Sequence, residues 1–283
     1  MVSLDPLSHN RYLSTAFLNE SNCLKGVYQM TKSDDLDGKV AVVTGGGKGI
    51  GKAIAKGLAE NGVKVVVSSR TKTELDQVAG EIKENGGEAT PVVTDLTDSD
   101  QINGLVDAAI EAYGRIDILV NNAARSFLRP LMDLREDGWD KIFNTNCKAV
   151  FLLSRAVAKI MGKQGGGRIV NITTIGAVRG GVGMGVYHAS KAALSMLTKC
   201  MAVEWAPLQI NVNAVGPGLT KTAFSQPIWD NPDMERMITA RIPKGRLAEP
   251  EEIVGAVLFL CSKQSNFITG ESIYVDGGSL ANS

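Results

Sequence analysis

The chain has 283 residues, of which 44% are hydrophobic, so it is long enough for one large α/β domain or for two small ones. Thirty basic residues balance thirty acidic residues, and this balance gives no sign of a nucleic-acid-binding or membrane-binding surface. The four cysteines are widely separated, and only two histidines accompany them. We therefore expect neither a disulfide framework nor a metal site. This use of cysteine suits a reducing compartment such as the cytoplasm.

Residues 1 to about 35 differ from the rest of the chain. Their composition is mixed, they lack a basic start, and they contain no apolar run long enough for a signal peptide. A second methionine, Met30, stands shortly before the first predicted strand. The segment indicates either an upstream start or a flexible N-terminal extension, and we predict a single domain over residues 36–283.

From Lys39 onward, short β-branched runs alternate with longer helical patterns, which is typical of parallel βαβ units. The predicted strands are Lys39–Val43, Val63–Ser68, Ala89–Val93, Ile116–Val120, Arg168–Ile172, Gln209–Ala214 and Ser272–Val275. The predicted helices lie at about 49–61, 72–85, 98–113, 136–162, 186–205 and 250–261. This order predicts an α/β fold of the Rossmann type, a doubly wound, seven-stranded parallel sheet with helices on both faces and ligands at the carboxyl ends of the strands.

The stretch Thr44–Gly51, with the sequence TGGGKGIG, follows the first apolar run and opens into a helical pattern. A glycine turn at a helix start collects free backbone N–H groups and the positive end of the helix dipole, which favours a phosphate. Two common phosphate loops do not fit, because Ala53 stands where the ATP-type loop needs a hydroxyl and the G-x-G-x-x-G form lacks its third glycine. The pattern that fits is T-G-x-x-x-G-x-G, which is the pattern of short-chain dehydrogenases/reductases.

Tyr187 and Lys191 form the motif Y-x-x-x-K at the start of the helical pattern that runs to Trp205. Residues four apart lie on one helical face. A tyrosine with an ordinary pKa of about 10 is a poor base, and a nearby ammonium group favours its phenolate. We interpret Lys191 as the residue that tunes Tyr187 for proton transfer; an exposed pair on a helix is the structural alternative.

Further blocks follow in the order of one known family. From about Lys39 to Gly278 the chain resembles a single-domain short-chain dehydrogenase/reductase, similar to 3-oxoacyl-acyl-carrier-protein reductases and to tropinone-reductase-like carbonyl reductases. Besides the two motifs above, the blocks that carry the resemblance are Asp95-Leu96, Asn121 to Ala124, Asn146, Pro217-Gly218 and Val275 to Gly278.

The resemblance implies a role for each block. Tyr187 is expected to act as general acid in reduction or as base in oxidation, and Lys191 to tune it and to bind the nicotinamide ribose. Asn146 is expected to hold a water in the proton relay. The residues expected to contact the dinucleotide are Gly45, Gly47, Lys48, Gly49, Ile50, Gly51, Ser69, Arg70, Asp95, Leu96, Asn122, Ala123, Tyr187, Lys191, Pro217, Gly218, Thr220 and Thr222.

One position departs from the family pattern. Family members usually carry a serine 13 residues before the tyrosine, and 187 minus 13 is Thr174 in this chain. Threonine keeps a hydroxyl that can donate to a substrate oxygen, but its methyl group restricts χ1 and crowds the pocket. We expect activity with a narrowed or altered substrate range. Thr173 is an alternative source of the hydroxyl, although alternation along a strand points it the other way.

The residues after the second predicted strand bear on the choice of cofactor. A carboxylate there binds the 2′-hydroxyl of NAD, whereas an arginine accommodates the 2′-phosphate of NADP. The chain has Ser68, Ser69 and Arg70 at this place and no acid among them, and Lys48 in the glycine turn adds a second positive charge. The sequence therefore favours NADP(H) over NAD(H).

The stretch from Gly216 to about Ala248 is long, contains four prolines and carries apolar residues, so we predict a substrate lid at about 216–248. The glycine-rich segment from Gly180 to Val186 leaves the wall before Tyr187 almost free of polar side chains. A small hydrophobic ketone or secondary alcohol is therefore the favoured substrate. Four basic residues could instead meet a phosphopantetheine or a carboxylate: Arg125, Arg129, Arg179 and Lys221.

Three hypotheses of function are compatible with the sequence. The first is an NADP(H)-dependent oxidoreductase, with a 3-oxoacyl-thioester reductase as its variant, and the second is a non-catalytic nucleotide-binding scaffold. The third is a DNA-binding regulator, which is disfavoured because the chain lacks a basic face. The resemblance also implies a homotetramer. Leu194, Leu197 and Met201 fit a subunit contact on the tyrosine helix, and they fit a core equally well.

Overall fold

The computed structural model describes residues 35–282, so the predicted N-terminal extension lies outside the described residues apart from Asp35. The described strands are β1 (Val40–Thr44), β2 (Lys64–Ser69), β3 (Ala89–Val93), β4 (Ile118–Asn121), β5 (Gly167–Ile172), β6 (Ile210–Pro217) and β7 (Ser272–Val275). All pair in parallel, in the order β3-β2-β1-β4-β5-β6-β7. The predicted seven-stranded, doubly wound sheet is confirmed.

The α-helices within the same residues are α1 (Gly49–Glu60), α2 (Lys72–Glu84), α3 (Ser99–Tyr113), α4 (Glu136–Phe143), α5 (Ala149–Lys163), α6 (Gly185–Trp205), α7 (Gln226–Trp229), α8 (Pro232–Thr239) and α9 (Glu251–Cys261). In β1, Ala41 and Val43 face a core that includes α1, α2 and α9. Val42 between them faces a second core with α3, α5 and α6. Strands buried on both faces explain the continuous apolar runs in the sequence.

The strand order reverses between β1 and β4. The chain runs outward from β1 to β3 and then returns to start β4 on the other side of β1. Neighbouring crossovers therefore leave in opposite directions at the carboxyl ends of these two strands, and a crevice opens there. The glycine turn after β1 and the asparagines after β4 meet in this crevice.

Three predicted boundaries need correction. The helix predicted over 136–162 is divided into α4 and α5 by a π-helical segment at Asn144–Lys148. Strand β6 continues to Pro217 because its last residues pair with β7. The predicted lid is not a plain loop, since it contains α7 and α8.

Three residues of α6 fitted either a subunit contact or a core, and the structure places them in the core of this chain. Leu194 and Met201 are buried, and Leu197 packs against the core on the α3, α5 and α6 side. No helix within residues 35–282 combines the length and the apolar character needed to cross a membrane. The same residues contain no cluster of three His, Cys, Asp or Glu side chains arranged to hold a metal ion.

Candidate active site

The glycine turn between β1 and α1 uses its glycines for conformation and for space. Gly45 and Gly49 have φ angles of +64° and +54°, in the left-handed region that other residues rarely adopt. A Cβ on Gly51 would lie 2.2 Å from the carbonyl oxygen of Gly45 and 2.4 Å from the side-chain nitrogen of Asn122. The spacing of glycines in T-G-x-x-x-G-x-G therefore follows from how tightly the turn is packed.

Thr44 and Asn122 lock the turn to the end of β4. The Thr44 hydroxyl accepts hydrogen bonds from the backbone N–H of Asn122 at 3.0 Å and of Ala123 at 3.1 Å. The Asn122 side chain donates back to the carbonyl oxygens of Thr44 at 2.9 Å and Gly45 at 3.2 Å. These bonds hold the two strand ends at a fixed separation, so the crevice between them is preformed.

A crevice of about 310 Å³ runs along the carboxyl ends of β1, β2, β3 and β4 and reaches α6. Most of the predicted cofactor-binding residues line it: Gly45, Gly47, Lys48, Gly49, Ile50, Gly51, Ser69, Arg70, Asp95, Leu96, Asn122, Ala123, Tyr187 and Thr222. Predicted residues that do not line it are Asn146, Thr174, Lys191, Pro217, Gly218 and Thr220.

The crevice fits a dinucleotide on two observations. The Ser68 hydroxyl, at the end of β2, is buried without a hydrogen-bond partner in the described chain, and its residue lines the crevice. A buried polar group left unpaired is costly, so a ligand atom at this place would satisfy it. The glycine turn lines the same crevice beside the first turn of α1, whose backbone N–H groups have no partners within the helix.

Tyr187 and Lys191 lie on the first turns of α6, beside this crevice. Lys191 is 1% exposed, its Nζ donates to the carbonyl oxygen of Ile172 at 2.7 Å, and the same atom lies 5.9 Å from the centre of the Tyr187 ring. Burial lowers the pKa of Lys191 to about 8, although the Cys147 thiol opposes this shift. Lys191 therefore keeps most of its charge at neutral pH and can lose it just above.

Burial raises the pKa of Tyr187 above its ordinary value. The residue is only partly shielded from solvent, since it borders the crevice, but the surrounding protein removes enough water to disfavour the phenolate. A nearby ammonium was expected to favour the phenolate, but in the described chain desolvation has the larger effect on the pKa of Tyr187. Tyr187 is therefore protonated at physiological pH and carries a phenolic proton that a substrate oxygen can accept.

Asn146 lies at the centre of the π-helical segment and is fully buried. Its side chain accepts from the Arg125 backbone N–H at 2.8 Å and donates to the Arg125 carbonyl at 3.0 Å. It also donates to the hydroxyl of Ser190 on α6 at 2.9 Å. Since π-bulges occur frequently at functional sites, this interruption of the helix marks the residue. The side chain holds the loop after β4 against the helix of Tyr187.

The two threonines after β5 separate as alternation predicts. Thr173 is buried, and its hydroxyl donates to the carbonyl of Val215 at 3.1 Å. Thr174 is half-buried; its hydroxyl accepts from the Gly176 backbone N–H at 3.3 Å and makes a long contact of 3.5 Å to the Pro217 carbonyl. Of the two hydroxyls, that of Thr174 has the weaker protein partners.

The β2 end of the crevice carries exposed charges. Arg70 is exposed. Lys48, which the sequence offered as a second positive charge, is paired with an acid: its Nζ lies 3.2 Å from a carboxylate oxygen of Glu74 on α2. Asp95 lies on the opposite wall, where two hydrogen bonds from Thr97 and the nearby charges of Arg70 and Arg125 hold its pKa below its usual range.

The segment predicted as a lid reaches over the tyrosine. The ring of Phe224 lies 5.7 Å from that of Tyr187 at a tilt of 42°. Trp229 on α7 donates its indole N–H to the carbonyl of Thr222 at 3.2 Å. A parallel bridge between Thr220 and Ala248 closes the base of the segment.

Ten further residues line the crevice that were not predicted to contact the cofactor, although Ser68 and Ala124 stand in or beside predicted blocks and Arg125 was considered for the substrate. They are Ser68, Thr71, Glu74, Thr94, Thr97, Ala124, Arg125, Thr145, Ala223 and Phe224. The spacing T-x-x-E from Thr71 to Glu74 was an available signal, although it indicates a helix cap. No spacing in the sequence indicated the buried hydrogen-bond network behind the site. There Asn121 donates to Ser154 and Asn171, and Asn171 donates to Thr198.

The fold and the site define the class: a doubly wound dinucleotide-binding oxidoreductase with a tyrosine and a lysine beside the nucleotide crevice. A family model described as Enoyl-(Acyl carrier protein) reductase matches residues 45–279. The relatives described next are named as dehydrogenases or reductases of this type. The chain belongs to the short-chain dehydrogenase/reductase family, and it is an enzyme of the oxidoreductase class.

Three similar proteins show the breadth of the family. Dehydrogenase/reductase SDR family member 4 from Bos taurus is 42% identical over 253 residues, 89% of this chain and 91% of the relative. The 3-oxoacyl-[acyl-carrier-protein] reductase FabG from Thermotoga maritima is 39% identical over 244 residues, 86% of this chain and 98% of the relative. A crystal structure of a gluconate 5-dehydrogenase from Burkholderia cenocepacia J2315, in complex with NADP and tartrate, is 33% identical with a TM-score of 0.84, covering 88% of this chain and 99% of that one.

Proposed function

We propose that the protein is an NADP(H)-dependent oxidoreductase that interconverts a ketone and a secondary alcohol. The observation that carries the proposal is the position of Tyr187, whose phenol lines the same crevice as the glycine turn. A proton donor at one end of a dinucleotide crevice is what carbonyl reduction requires.

The residues divide the reaction between them. The glycine turn would hold the cofactor, which when bound would supply a hydride to the substrate carbon or accept one from it. Tyr187 donates its phenolic proton to the carbonyl oxygen in reduction and accepts it back in oxidation. Lys191 has a pKa of about 8, so it is charged below about pH 8 and stabilises the phenolate that this donation leaves. It also binds the nicotinamide ribose. The hydroxyl of Thr174 donates a second hydrogen bond to the substrate oxygen.

Asn146 positions these groups. Its side chain is committed to the Arg125 backbone and to Ser190, so it fixes the loop after β4 relative to α6. The bonds of the π-helical segment leave its backbone in a different register from an α-helix. We propose that the water of the proton relay binds at this interruption.

The preference for NADP(H) rests on Arg70 and on the absence of a carboxylate at the end of β2. The buried Ser68 hydroxyl and the exposed Arg70 offer donors for a 2′-phosphate. The gluconate 5-dehydrogenase relative is described with NADP, which agrees with this preference.

A hydrophobic substrate is favoured by exposed apolar side chains near Tyr187, at the entrance of the site. Leu128 and Leu131 lie beside Gly183 and Gly185 just before the tyrosine, and the ring of Phe224 lies beside that of Tyr187. We propose that residues 216–248 act as its lid. A 3-oxoacyl thioester is the second candidate, because the same apolar entrance suits an acyl chain and a 3-oxoacyl reductase is among the relatives.

A homotetramer in the cytoplasm completes the proposal. In place of the buried α6 residues, Phe151 on α5 and Met196 and Val203 on α6 are exposed apolar side chains suited to a subunit contact. Their exposed fractions are 38%, 59% and 78%. Light scattering on the purified protein tests the tetramer.

The function is tested by following NADPH and NADH oxidation with a panel of aromatic ketones, aliphatic ketones, β-ketoesters and 3-oxoacyl thioesters. We expect turnover of hydrophobic ketones with a higher kcat/KM for NADPH than for NADH. A higher value for NADH contradicts the cofactor assignment. Tight binding of NADPH without turnover of any member of the panel supports the scaffold instead.

A further inference from the structure

The β2 end of the crevice contains an acid that the cofactor preference does not explain. Glu74 lines the crevice from the first turn of α2, and its carboxylate lies 3.2 Å from Nζ of Lys48 in the glycine turn. The two side chains are 33% and 66% exposed, so this ion pair spans the mouth of the crevice. The ion pair therefore lies where the charged groups of a nucleotide would enter the crevice.

The local structure of α2 does not need this carboxylate. The spacing from Thr71 to Glu74 is that of a capping box, in which the acid accepts from the N–H of the N-cap residue. Thr71 makes no side-chain cap bond, and its N–H is donated to the hydroxyl of Ser69 at 3.2 Å. Glu74 therefore turns away from its own helix and toward the glycine turn.

Steric contacts place the carboxylate close to both walls. A Cβ on Gly47 would lie 3.1 Å from a carboxylate oxygen of Glu74 and 3.3 Å from the Ser69 hydroxyl. The acid thus abuts the glycine turn at the tip of β2, next to the residue that precedes Arg70. A side chain at position 47 would require Glu74 or Ser69 to shift by a few tenths of an ångström, so the glycine leaves room for the acid beside the turn.

The charges at this end oppose one another. Lys48 and Arg70 favour an anion, while Glu74 disfavours one and also occupies Lys48. Lys72 on α2 is paired with Asp76 at 2.6 Å, one turn further along the helix. Asp95 faces Arg70 from the β3 side. While it is paired with Glu74, Lys48 attracts an incoming phosphate less strongly than a lone lysine would, because the carboxylate offsets its charge.

We propose that Glu74 is a specificity-determining residue that limits the preference for NADP(H) by holding Lys48 and by repelling a 2′-phosphate. The inference rests on the proposed cofactor. Glu74 makes the protein less selective than Arg70 and Lys48 alone would make it, and NAD(H) remains an accepted cofactor. The structural sign of this role is that the Glu74 carboxylate bonds Lys48 of the glycine turn and leaves the N-cap residue Thr71 of its own helix.

Isothermal titration of the cofactor-free protein with 2′,5′-ADP and with 5′-AMP tests the proposal without turnover. The two ligands differ by the 2′-phosphate alone. We expect Glu74→Gln to tighten binding of 2′,5′-ADP about threefold to tenfold, with the gain shrinking at high salt. Binding of 5′-AMP should change less than about twofold, because the variant alters the charge facing the 2′ position.

Two further variants identify the cause. Asp76→Asn removes the same charge from the same helix one turn away and should leave both affinities unchanged. In a Lys48→Met background, Glu74→Gln should gain less for 2′,5′-ADP than in the wild-type background, since no lysine is released. Equal gains in both backgrounds would overturn the part of the proposal in which Glu74 holds Lys48.

The failures of the two proposals are distinguishable. If the wild-type protein prefers 2′,5′-ADP and Glu74→Gln leaves the ratio of the two affinities unchanged, the role of Glu74 is wrong and the cofactor assignment stands. If the wild-type protein binds neither ligand, or prefers 5′-AMP, the cofactor assignment itself fails. A loss of affinity for both ligands in Glu74→Gln also overturns the specificity role, because it indicates a structural one.

Discussion

The two ends of the crevice use charged and polar groups in opposite ways. At the α6 end, Lys191 and Asn146 are buried, and each bonds protein partners on neighbouring elements. At the β2 end, Arg70, Lys48 and Glu74 meet water. Interactions in a low-dielectric interior are strong, and a buried polar group that loses its partner is costly, whereas interactions between exposed charges are screened and individually weak. We therefore propose that the buried end fixes the chemistry and that the exposed end adjusts the choice of cofactor.

The largest effect separating the two ends is expected for Lys191→Met. The variant removes the charge that stabilises the tyrosine phenolate, so kcat should fall by about 10² to 10⁴. It also removes an ammonium group that burial makes unfavourable, so the cofactor-free protein at pH 7 should be more stable by roughly 2 kcal/mol, the lost bond to Ile172 offsetting part of the gain. Steady-state kinetics and urea unfolding measure the two quantities.

The pH dependence follows from the same residue. Its pKa is about 8 in the folded chain and about 10.4 when unfolded, so the unfolded chain binds the proton more tightly between these values. The unfolding free energy of the wild type should therefore rise relative to Lys191→Met as the pH increases from about 8 to 10. Lys199→Met, at an exposed position on α6, is the control and should show neither effect. Equal pH profiles for all three proteins would contradict a buried, titrating lysine.

The next effect, still at the buried end, is expected for Asn146→Ala. The change leaves the Ser190 hydroxyl and the Arg125 backbone without their partner, so the unfolding free energy should drop by about 1–3 kcal/mol. Because the loop after β4 is no longer held against α6, kcat should fall as well. Asn144→Ala, at an exposed position in the same π-helical segment, should change neither quantity. A stable, fully active Asn146→Ala would show that the buried bonds do not position the site.

A smaller effect is expected at the exposed end for Arg70→Gln. The ratio of kcat/KM for NADPH to that for NADH should fall about tenfold, as expected for one exposed charge-assisted hydrogen bond. The loss should shrink as salt is raised. Lys72→Gln, which removes a neighbouring exposed charge paired with Asp76, is the control. A salt-independent ratio would show that the cofactor is not selected by surface charge.

The smallest effect concerns the segment above the tyrosine. Phe224→Ala should raise KM for a hydrophobic ketone about threefold, since a partly exposed ring contributes only part of its apolar area to the substrate, and kcat should change little. Phe267→Ala, a fully exposed ring away from the crevice, should have no effect. A fall in kcat with unchanged KM would indicate that Phe224 orients Tyr187 and does not bind substrate.

The same comparison explains what could be predicted from the sequence. The order of strands and helices, the glycine turn and the pair Tyr187 and Lys191 follow from local spacing, because hydrophobic periodicity and motif distances are properties of the chain itself. The burial that raises the pKa of Tyr187 depends on neighbours distant in sequence, so the motif alone suggested the opposite direction. The π-helical interruption at Asn146 is likewise set by packing against α6.

At the exposed end the limit was different. Arg70 and Lys48 were found because their charges suit a phosphate, but Glu74 was read only as part of a helix. In the structure the N–H of Thr71 is donated to the Ser69 hydroxyl and Glu74 bonds Lys48. The spacing from Thr71 to Glu74 fits a helix cap equally well, so it does not say which partner the acid takes.

The central claim is that Tyr187 supplies the proton, whereas binding of the cofactor in the crevice does not depend on the Tyr187 hydroxyl. The most direct measurement compares wild type and Tyr187→Phe in two assays on the same preparations, NADPH affinity by titration and NADPH oxidation with a ketone that the wild type reduces. We predict a largely unchanged dissociation constant and a loss of turnover of at least about 10²-fold. Turnover by Tyr187→Phe at the wild-type rate would contradict the account.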